Sequence, residues 1–554
     1  MSIFINKNIC FFIIISHFLL PNIFCGVCGF DQLKKKEKLI LENLSMSNKL
    51  RNLNGQIEYQ PISFYVDYSF MSSQSRYSSR TSIVQKSLAN ALDLFQRILL
   101  TLPPTTISLN ASQALNFCEV PFVSEELEEG VEASVVIFPM FTKAFKKGTL
   151  AAATSCGLEK IGDKSYKPRV GVLYVSSYLD VEEENAERYL TILFLHEITH
   201  ILVFDTNLFP LFTSGNPVKT TVVNGYTRSV ISSPKVLEKS RLHFACSSVV
   251  GVELENQGLS GTAGVHWEAR VMMGDYMIAL HNPDNAISDI TLALFEDSGW
   301  YKPQYYTGGL FKFGKGEGCS FLTKRCFINH QTRFPNEFCS VEDEPRCVTS
   351  LNYKSQCYIT SYSGLTSDLS YLEEDDEGGL EFNDYCPTAY NEVLGDTKYM
   401  EGHCQYGLVD NAGAGEILSN TSFCVQSSLG TGGSLSNICA KATKCLKSSK
   451  TYILSILDKE IECPTKGGAL ENPSGLSGSI LCPGYNFVCA GTVLCNDIES
   501  CIRAKSKADT DTYLFDYEVG NAELKAMDDV YEEKGRYLVG QVVRIVMTVV
   551  VMLF

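Results

Sequence analysis

Positive charge is in short supply. Forty-seven Lys and Arg stand against 63 Asp and Glu, a net charge of −16, and no stretch gathers its cations into a stripe. That excludes the electrostatic footprint of a nucleic-acid-binding protein. The apolar runs at the two ends also fall short of a membrane span: Ile9–Leu20 is too brief, and the run from Tyr537 to Phe554 is broken by Arg544. Histidine is scarce, with eight in 554 residues, so two of them at a functional spacing carry information. What remains, 45% apolar and 20% charged, is ordinary for a folded chain of two or three domains.

Cysteine, by contrast, is abundant, at 21. The N-terminus explains this. Lys7, the apolar run Ile9–Leu20, Pro21 and the small residues near Cys25 and Gly26 follow the order of a secretory signal peptide. Residues 1–25 are therefore expected to leave on export, taking Cys10 and Cys25 with them and leaving Cys28 alone near the new N-terminus. The eighteen cysteines from Cys118 to Cys501 form an even set, as expected of an exported chain stapled by disulfides. Sequons at Asn43, Asn110 and Asn420 are compatible with glycosylation. The apolar tail fits a cleaved GPI-attachment signal better than a span. The expected location is thus extracellular, either secreted or attached to the membrane through the C-terminal tail.

The chemistry concentrates in residues 189–204, Tyr-Leu-Thr-Ile-Leu-Phe-Leu-His-Glu-Ile-Thr-His-Ile-Leu-Val-Phe. His196 and His200 share one face of a helix at i and i+4 and can bind one metal. Glu197 sits about 100° round the helix, where its carboxylate can reach a metal-activated water without becoming a ligand. This is the HExxH arrangement of zinc peptidases. In so His-poor a chain it arises by chance roughly once in a hundred; two buried core histidines are the plainer alternative.

Strand-like segments at Pro61–Tyr68, Ala133–Pro139 and Val170–Ser176 and a helix over Val84–Leu100 precede the motif. An acidic turn from Asp180 suits the N-terminus of the motif helix. These elements predict an α+β catalytic domain of zincin type, with the motif helix laid against a sheet. From Asp205 to Ser233 the chain reads as turn-rich and irregular, and a helix-prone stretch follows near Asn285–Phe295. Beyond Cys319 most of the cysteines appear among many Gly and Ser, which predicts a disulfide-rich, mixed or irregular C-terminal domain without long helices. Cys482, Cys489, Cys495 and Cys501 are spaced like a zinc ribbon, but the exported context favours disulfides.

A catalytic zinc needs a third protein ligand and an open position. Glu253 or Glu255 would make a His₂Glu site; a third histidine would make His₃. The short metzincin template places that histidine six residues after the second, where Thr206 stands, and its glycine position holds Val203. Among the later histidines, His266 lies in Gly261-Thr-Ala-Gly-Val-His-Trp-Glu, and Met277 follows in Gly274-Asp-Tyr-Met-Ile-Ala.

In these motifs the chain resembles the leishmanolysin-type surface metallopeptidases, invadolysin-like members included. That family has HExxH, a long insertion, a G-[ST]-x-x-x-H-W-E segment and a Met-turn of N-E-x-M type. Leu292–Lys302, Gly314–Cys319 and Pro61–Tyr68 match further, so the resemblance covers roughly residues 26–505.

The resemblance implies a metzincin-like fold and one Zn²⁺ per chain held by His196, His200 and His266. It makes Glu197 the catalytic acid/base, Met277 the Met-turn, proteins or peptides the substrates, and cell adhesion an additional role. It places Cys28, in Val27–Asp31, where the family's propeptide carries Cys-x-His-Asp, with Phe30 at the histidine, and so implies a cysteine switch. It also suggests the disulfides Cys118–Cys156 and Cys246–Cys319. The implied organisation is signal peptide 1–25, propeptide 26–57, catalytic domain 58–320, Cys-rich domain 321–510 and tail 511–554. With Val203 at the glycine position, the motif helix is expected to run a turn further, to about Asp205 or Asn207. The rival to a zinc endopeptidase is a catalytically impaired surface adhesion protein of the same fold.

Overall fold

The computed structural model describes residues 58–488, less short internal stretches and most of 391–414, together with the strand segments 27–28 and 39–41. The expected signal peptide, the C-terminal tail and the sequons at Asn43 and Asn420 lie outside the described residues.

Val135-Val-Ile-Phe-Pro-Met-Phe is apolar without alternation, the pattern of a strand buried on both faces. It sits at the heart of a six-stranded sheet made of β1 (Val27–Cys28), β2 (Leu39–Leu41), β3 (Phe64–Val66), β4 (Val135–Thr142), β5 (Thr149–Lys160) and β6 (Tyr166–Ser176). The order is β1–β5–β6–β4–β3, with β2 also on β5. Strands β3, β4 and β6 run parallel, whereas β5 is antiparallel to β6. The two N-terminal segments pair parallel to β5, with Cys28 opposite Ala151 and Leu39 opposite Gly157. Strand β5 has no counterpart in the sequence expectation, because Leu-Ala-Ala-Ala-Thr-Ser-Cys-Gly offers few β-branched residues.

Two helices cover one face of the sheet, α1 (Ser78–Ile98) and α2 (Ala186–Leu202). Leu88, Leu92 and Phe95 of α1 meet Leu190, Phe194 and Ile198 of α2 over Val135, Ile137, Leu173 and Val175. The alternate strand residues Val136, Phe138, Met140, Val170 and Val172 face a second core with Ile107, Leu109 and Leu127, which the Cys118–Cys156 disulfide closes. Each such fully buried side chain contributes about 1.5–3 kcal/mol. Helix α2 lies unusually close to the sheet at Gly171, where an added Cβ would come within 2.4 Å of the Ile201 side chain.

After α2 the chain is more regular than its composition suggests. A hairpin, β7 (Val218–Val223) and β8 (Tyr226–Ile231), replaces the expected irregular stretch. It is followed by α3 (Pro234–Phe244), β9 (Val252–Glu253) paired to β8, and α4 (Asp289–Asp297). Cys246–Cys319 ties the end of α3 to the segment after α4.

The main core runs on through residue 320. Phe321 lies 5.4, 5.2 and 6.0 Å from the rings of Phe313, Phe334 and Phe338, and the same cluster extends to Tyr390. A separate core belongs to an antiparallel sheet of β10 (Ser422–Ser427), β11 (Ser436–Leu446), β12 (Thr451–Ile456), β13 (Lys459–Cys463), β14 (Gly468–Glu471) and β15 (Ser479–Cys482). Alternating Tyr452, Leu454 and Ile456 point into it. This regular sheet corrects the irregular architecture expected there. Apart from β11 its strands are short, and their inward residues are interleaved with Ser, Thr and Lys, so no apolar run marks them. The disulfides Cys326–Cys386, Cys339–Cys357, Cys347–Cys424, Cys404–Cys439 and Cys463–Cys482 staple these regions. Among the described residues no helix is long and apolar enough to cross a membrane.

Candidate metal centre

Helix α2 is buried along its second half, which is why its polar residues stand out. His196, Glu197, Thr199 and His200 are all within the core, Glu197 and His200 with no exposure at all. The i, i+4 spacing brings the two imidazoles together, with Nε2 of His200 3.1 Å from Nε2 of His196. Nε2 of His266 approaches the same point, 3.2 Å from that of His196. Among the described residues these three form the one group of His, Cys, Asp or Glu side chains able to share a metal ion.

The other ring nitrogens are equally ordered. Nδ1 of His196 faces the carbonyl of Tyr276 at 2.6 Å, Nδ1 of His200 that of Phe204 at 2.7 Å, and Nδ1 of His266 that of Thr262 at 2.9 Å. A carbonyl only accepts, so each Nδ1 carries the proton and each Nε2 presents its lone pair to the centre. Burial pushes the pKa of His196 down to about 4 and that of His266 down to about 3, and holds His200 well below the usual range. All three are therefore neutral near pH 7, the state in which imidazole ligates metals.

The helix ends at Leu202, not a turn later as expected. Val203 keeps a negative φ, and the amides of Val203 and Phe204 both donate to the Thr199 carbonyl at 2.9 Å. The exit therefore needs no left-handed residue. The early ending is also what turns the Phe204 carbonyl back toward His200.

His266 is held from two sides. Its segment pairs with β9 and the residues after it, through Glu255 N to His266 O at 2.9 Å and Glu268 N to Glu253 O at 3.0 Å. On the other side Trp267 N donates to the Met277 carbonyl at 2.9 Å. Met277 itself is fully buried. Its turn depends on Asp275, whose Oδ1 accepts the Met277 amide at 2.7 Å while Oδ2 accepts the Thr291 hydroxyl at 2.8 Å and the Ser288 amide at 3.3 Å. Thr291 in turn accepts the Trp267 indole N–H at 2.8 Å. Asp275 and the carbonyls of Phe204, Thr262 and Tyr276 escaped the sequence reading. Only Asp275 left a signal there, as an Asx-type residue two positions before Met277.

Glu253 and Glu255 do not join the histidines. Glu253 pairs with Arg270 at 2.6 Å, and Oε1 of Glu255 accepts the amides of Asn256 and Gln257 at 3.0 and 2.8 Å. Arg270 and Arg228 also reach Asp384, at 3.6 and 3.2 Å, so the Cys-rich part of the chain braces the segment behind His266. The backbone of Cys28 lies on the outer edge of β5; the Cys28 side chain lies outside the described residues.

Comparison with known proteins agrees in extent. The family model described as leishmanolysin, peptidase M8, matches residues 76–496. The chain is 30% identical over 362 residues to a leishmanolysin homolog of Crithidia fasciculata, covering 62% of this chain and 54% of that protein. It is 26% identical over 392 residues to leishmanolysin of Leishmania major, covering 66% and 61%. It is 33% identical over 190 residues to a leishmanolysin-like peptidase of Drosophila melanogaster, covering 30% and 28%. The aligned region thus spans somewhat over half the length of the first two relatives.

Proposed function

Because the chain belongs to the leishmanolysin family, we propose that it is a zinc-dependent endopeptidase acting on proteins or peptides outside the cell. The observation that carries this reading is the convergence of three buried Nε2 atoms, each with its Nδ1 committed to a backbone carbonyl. Three neutral nitrogen donors converging on one point match the protein ligands of a catalytic zinc, which also needs an open position for water. His196, His200 and His266 would hold the ion. When bound, zinc supplies a Lewis acid that polarises the scissile carbonyl and acidifies water.

The protein's own groups supply the rest. The Tyr276, Phe204 and Thr262 carbonyls fix the tautomers, so ligand binding needs no ring rotation. The Glu197 carboxylate takes a proton from the attacking water and delivers it to the leaving amine. Asp275 holds the turn whose Tyr276 carbonyl orients His196. An impaired, purely adhesive protein is motivated by Val203 and by the large Cys-rich region; of these, the helix end accommodates Val203 without strain. Val27–Cys28 and Leu39–Leu41, paired along the β5 edge, would belong to a propeptide with Cys28 as its switch. The N-terminal export signal and C-terminal membrane attachment complete the proposed extracellular setting.

The test is zinc content together with cleavage of an unfolded protein by the secreted, processed chain. About one zinc per chain and chelator-sensitive cleavage support the reading. A zinc-free, inactive chain overturns it.

A further inference from the structure

The charge distribution behind the motif helix points to a second binding site. A cavity of about 30 Å³ lies between the start of β6, the end of β5 and the segment Gly299–Trp300, lined by Glu159, Lys167, Arg169, Ser134 and Trp300 among others. That volume is room for one or two water-sized particles. Its charged residues are all buried: Glu159 and Arg169 are 4% exposed and Lys167 is 5% exposed.

The Arg169 guanidinium is fully engaged. It pairs with Glu159 and donates to Thr105 and to the carbonyls of Ser134, Ala133 and Thr105. Glu159 pairs with Arg169 and also acts on the Lys167 ammonium through space, so among the described residues one carboxylate serves two buried cations. Lys167 donates to the Thr101 hydroxyl and stands over the Tyr301 ring at 5.2 Å, which leaves two of its three N–H groups unassigned. Thr101 passes its own proton to the Trp300 carbonyl at 3.1 Å, so Lys167 and Trp300 are tied to one hydroxyl. The Trp300 indole N–H, in a residue 2% exposed, has no partner among the described residues. Two buried cations that share one carboxylate and an orphaned buried donor are both costly, and Lys167 and Trp300 both line the same small cavity.

We propose that this cavity binds a small monovalent inorganic anion, of chloride size, held by the Lys167 ammonium and the Trp300 indole N–H. Burial, together with the nearby Arg169 charge and against the pull of Glu159, lowers the Lys167 pKa to about 7, and a bound anion would favour its charged form. The site requires nothing of the histidine centre, so it stands or falls separately from the proposed peptidase activity.

The experiment measures thermal stability of the full secreted protein in chloride against gluconate at constant ionic strength, for the wild type, Trp300→Phe and Lys167→Met. A saturable rise in Tm with chloride is expected in the wild type. Trp300→Phe should weaken the apparent chloride affinity about tenfold or more, the usual loss for one hydrogen bond to a charged group, and Lys167→Met should abolish the response. A bromide-soaked crystal should show an anomalous peak between Lys167 and Trp300. Equal responses in chloride and gluconate, an unchanged response in Trp300→Phe, or bromide absent from the cavity overturns the proposal. Should Lys167→Met fail to fold, Trp300→Phe and the bromide peak carry the test.

Discussion

Val203 stands where the resemblance leads one to expect glycine, and its surroundings say why a valine is tolerated. The residue is fully buried with negative φ, so the side chain gains packing and suffers no backbone strain. Val203→Gly should therefore lose about 1–3 kcal/mol of stability, from lost burial and added chain entropy, with no gain in cleavage rate; denaturant unfolding and an activity assay check both. Asp275 makes the opposite case, a residue with little prominence in sequence and three hydrogen bonds in the fold. Asp275→Ala should cost about 2–4 kcal/mol and weaken zinc affinity, measured by chelator competition. Burial also lifts the Asp275 pKa from 3.8 to about 6. Between these values the folded chain keeps a proton that the unfolded chain has released. This group's contribution to stability therefore declines as pH rises through that window. Asp275→Asn should flatten that part of the stability profile.

At the scale of elements, the motif helix is set by its approach to the sheet. Gly171 lets Ile201 rest directly on β6, and Ile201 adjoins His200. Gly171→Ala should cost about 1–3 kcal/mol through overpacking and raise the zinc dissociation constant by displacing His200, a change that equilibrium dialysis would register. The helix Ala186–Leu202, the strands β4 and β6 and the helix Ser78–Ile98 from Val84 onward were legible because apolar periodicity and unbroken apolar runs report burial directly, whereas the Ser-rich start of the latter reads as loop. The β7–β8 hairpin was missed, although Asn224-Gly225 between two β-branched runs is a hairpin signal, because the Ser- and Thr-rich surroundings obscure it. Strand β5 was not legible. Its Ala and Ser residues extend because neighbours flank it on both sides, and no local preference records that. In the metal centre the ligating side chains carry chemistry in their identity. The carbonyls that orient them are invisible by nature, because every residue has one.

Over the whole molecule, two features govern behaviour. Asp384, from the Cys-rich part, reaches the arginines behind His266, so that part belongs to the support of the centre as well as to the periphery. The N-terminal segments at 27–28 and 39–41 occupy the outer edge of β5, an edge that a sheet would otherwise leave open to an extended peptide. Removing residues 26–57 should raise cleavage activity without changing zinc content, as a comparison of the full and trimmed secreted forms would show. Equal activity of the two forms would dismiss the inhibitory role.

The central claim is that three histidines hold a zinc ion that Glu197 puts to use. The most direct measurement is zinc content and protein cleavage, side by side, for the processed wild type and Glu197→Gln. The account predicts about one zinc per chain in both proteins and cleavage reduced at least about a hundredfold in Glu197→Gln. Cleavage by Glu197→Gln at the wild-type rate would contradict it.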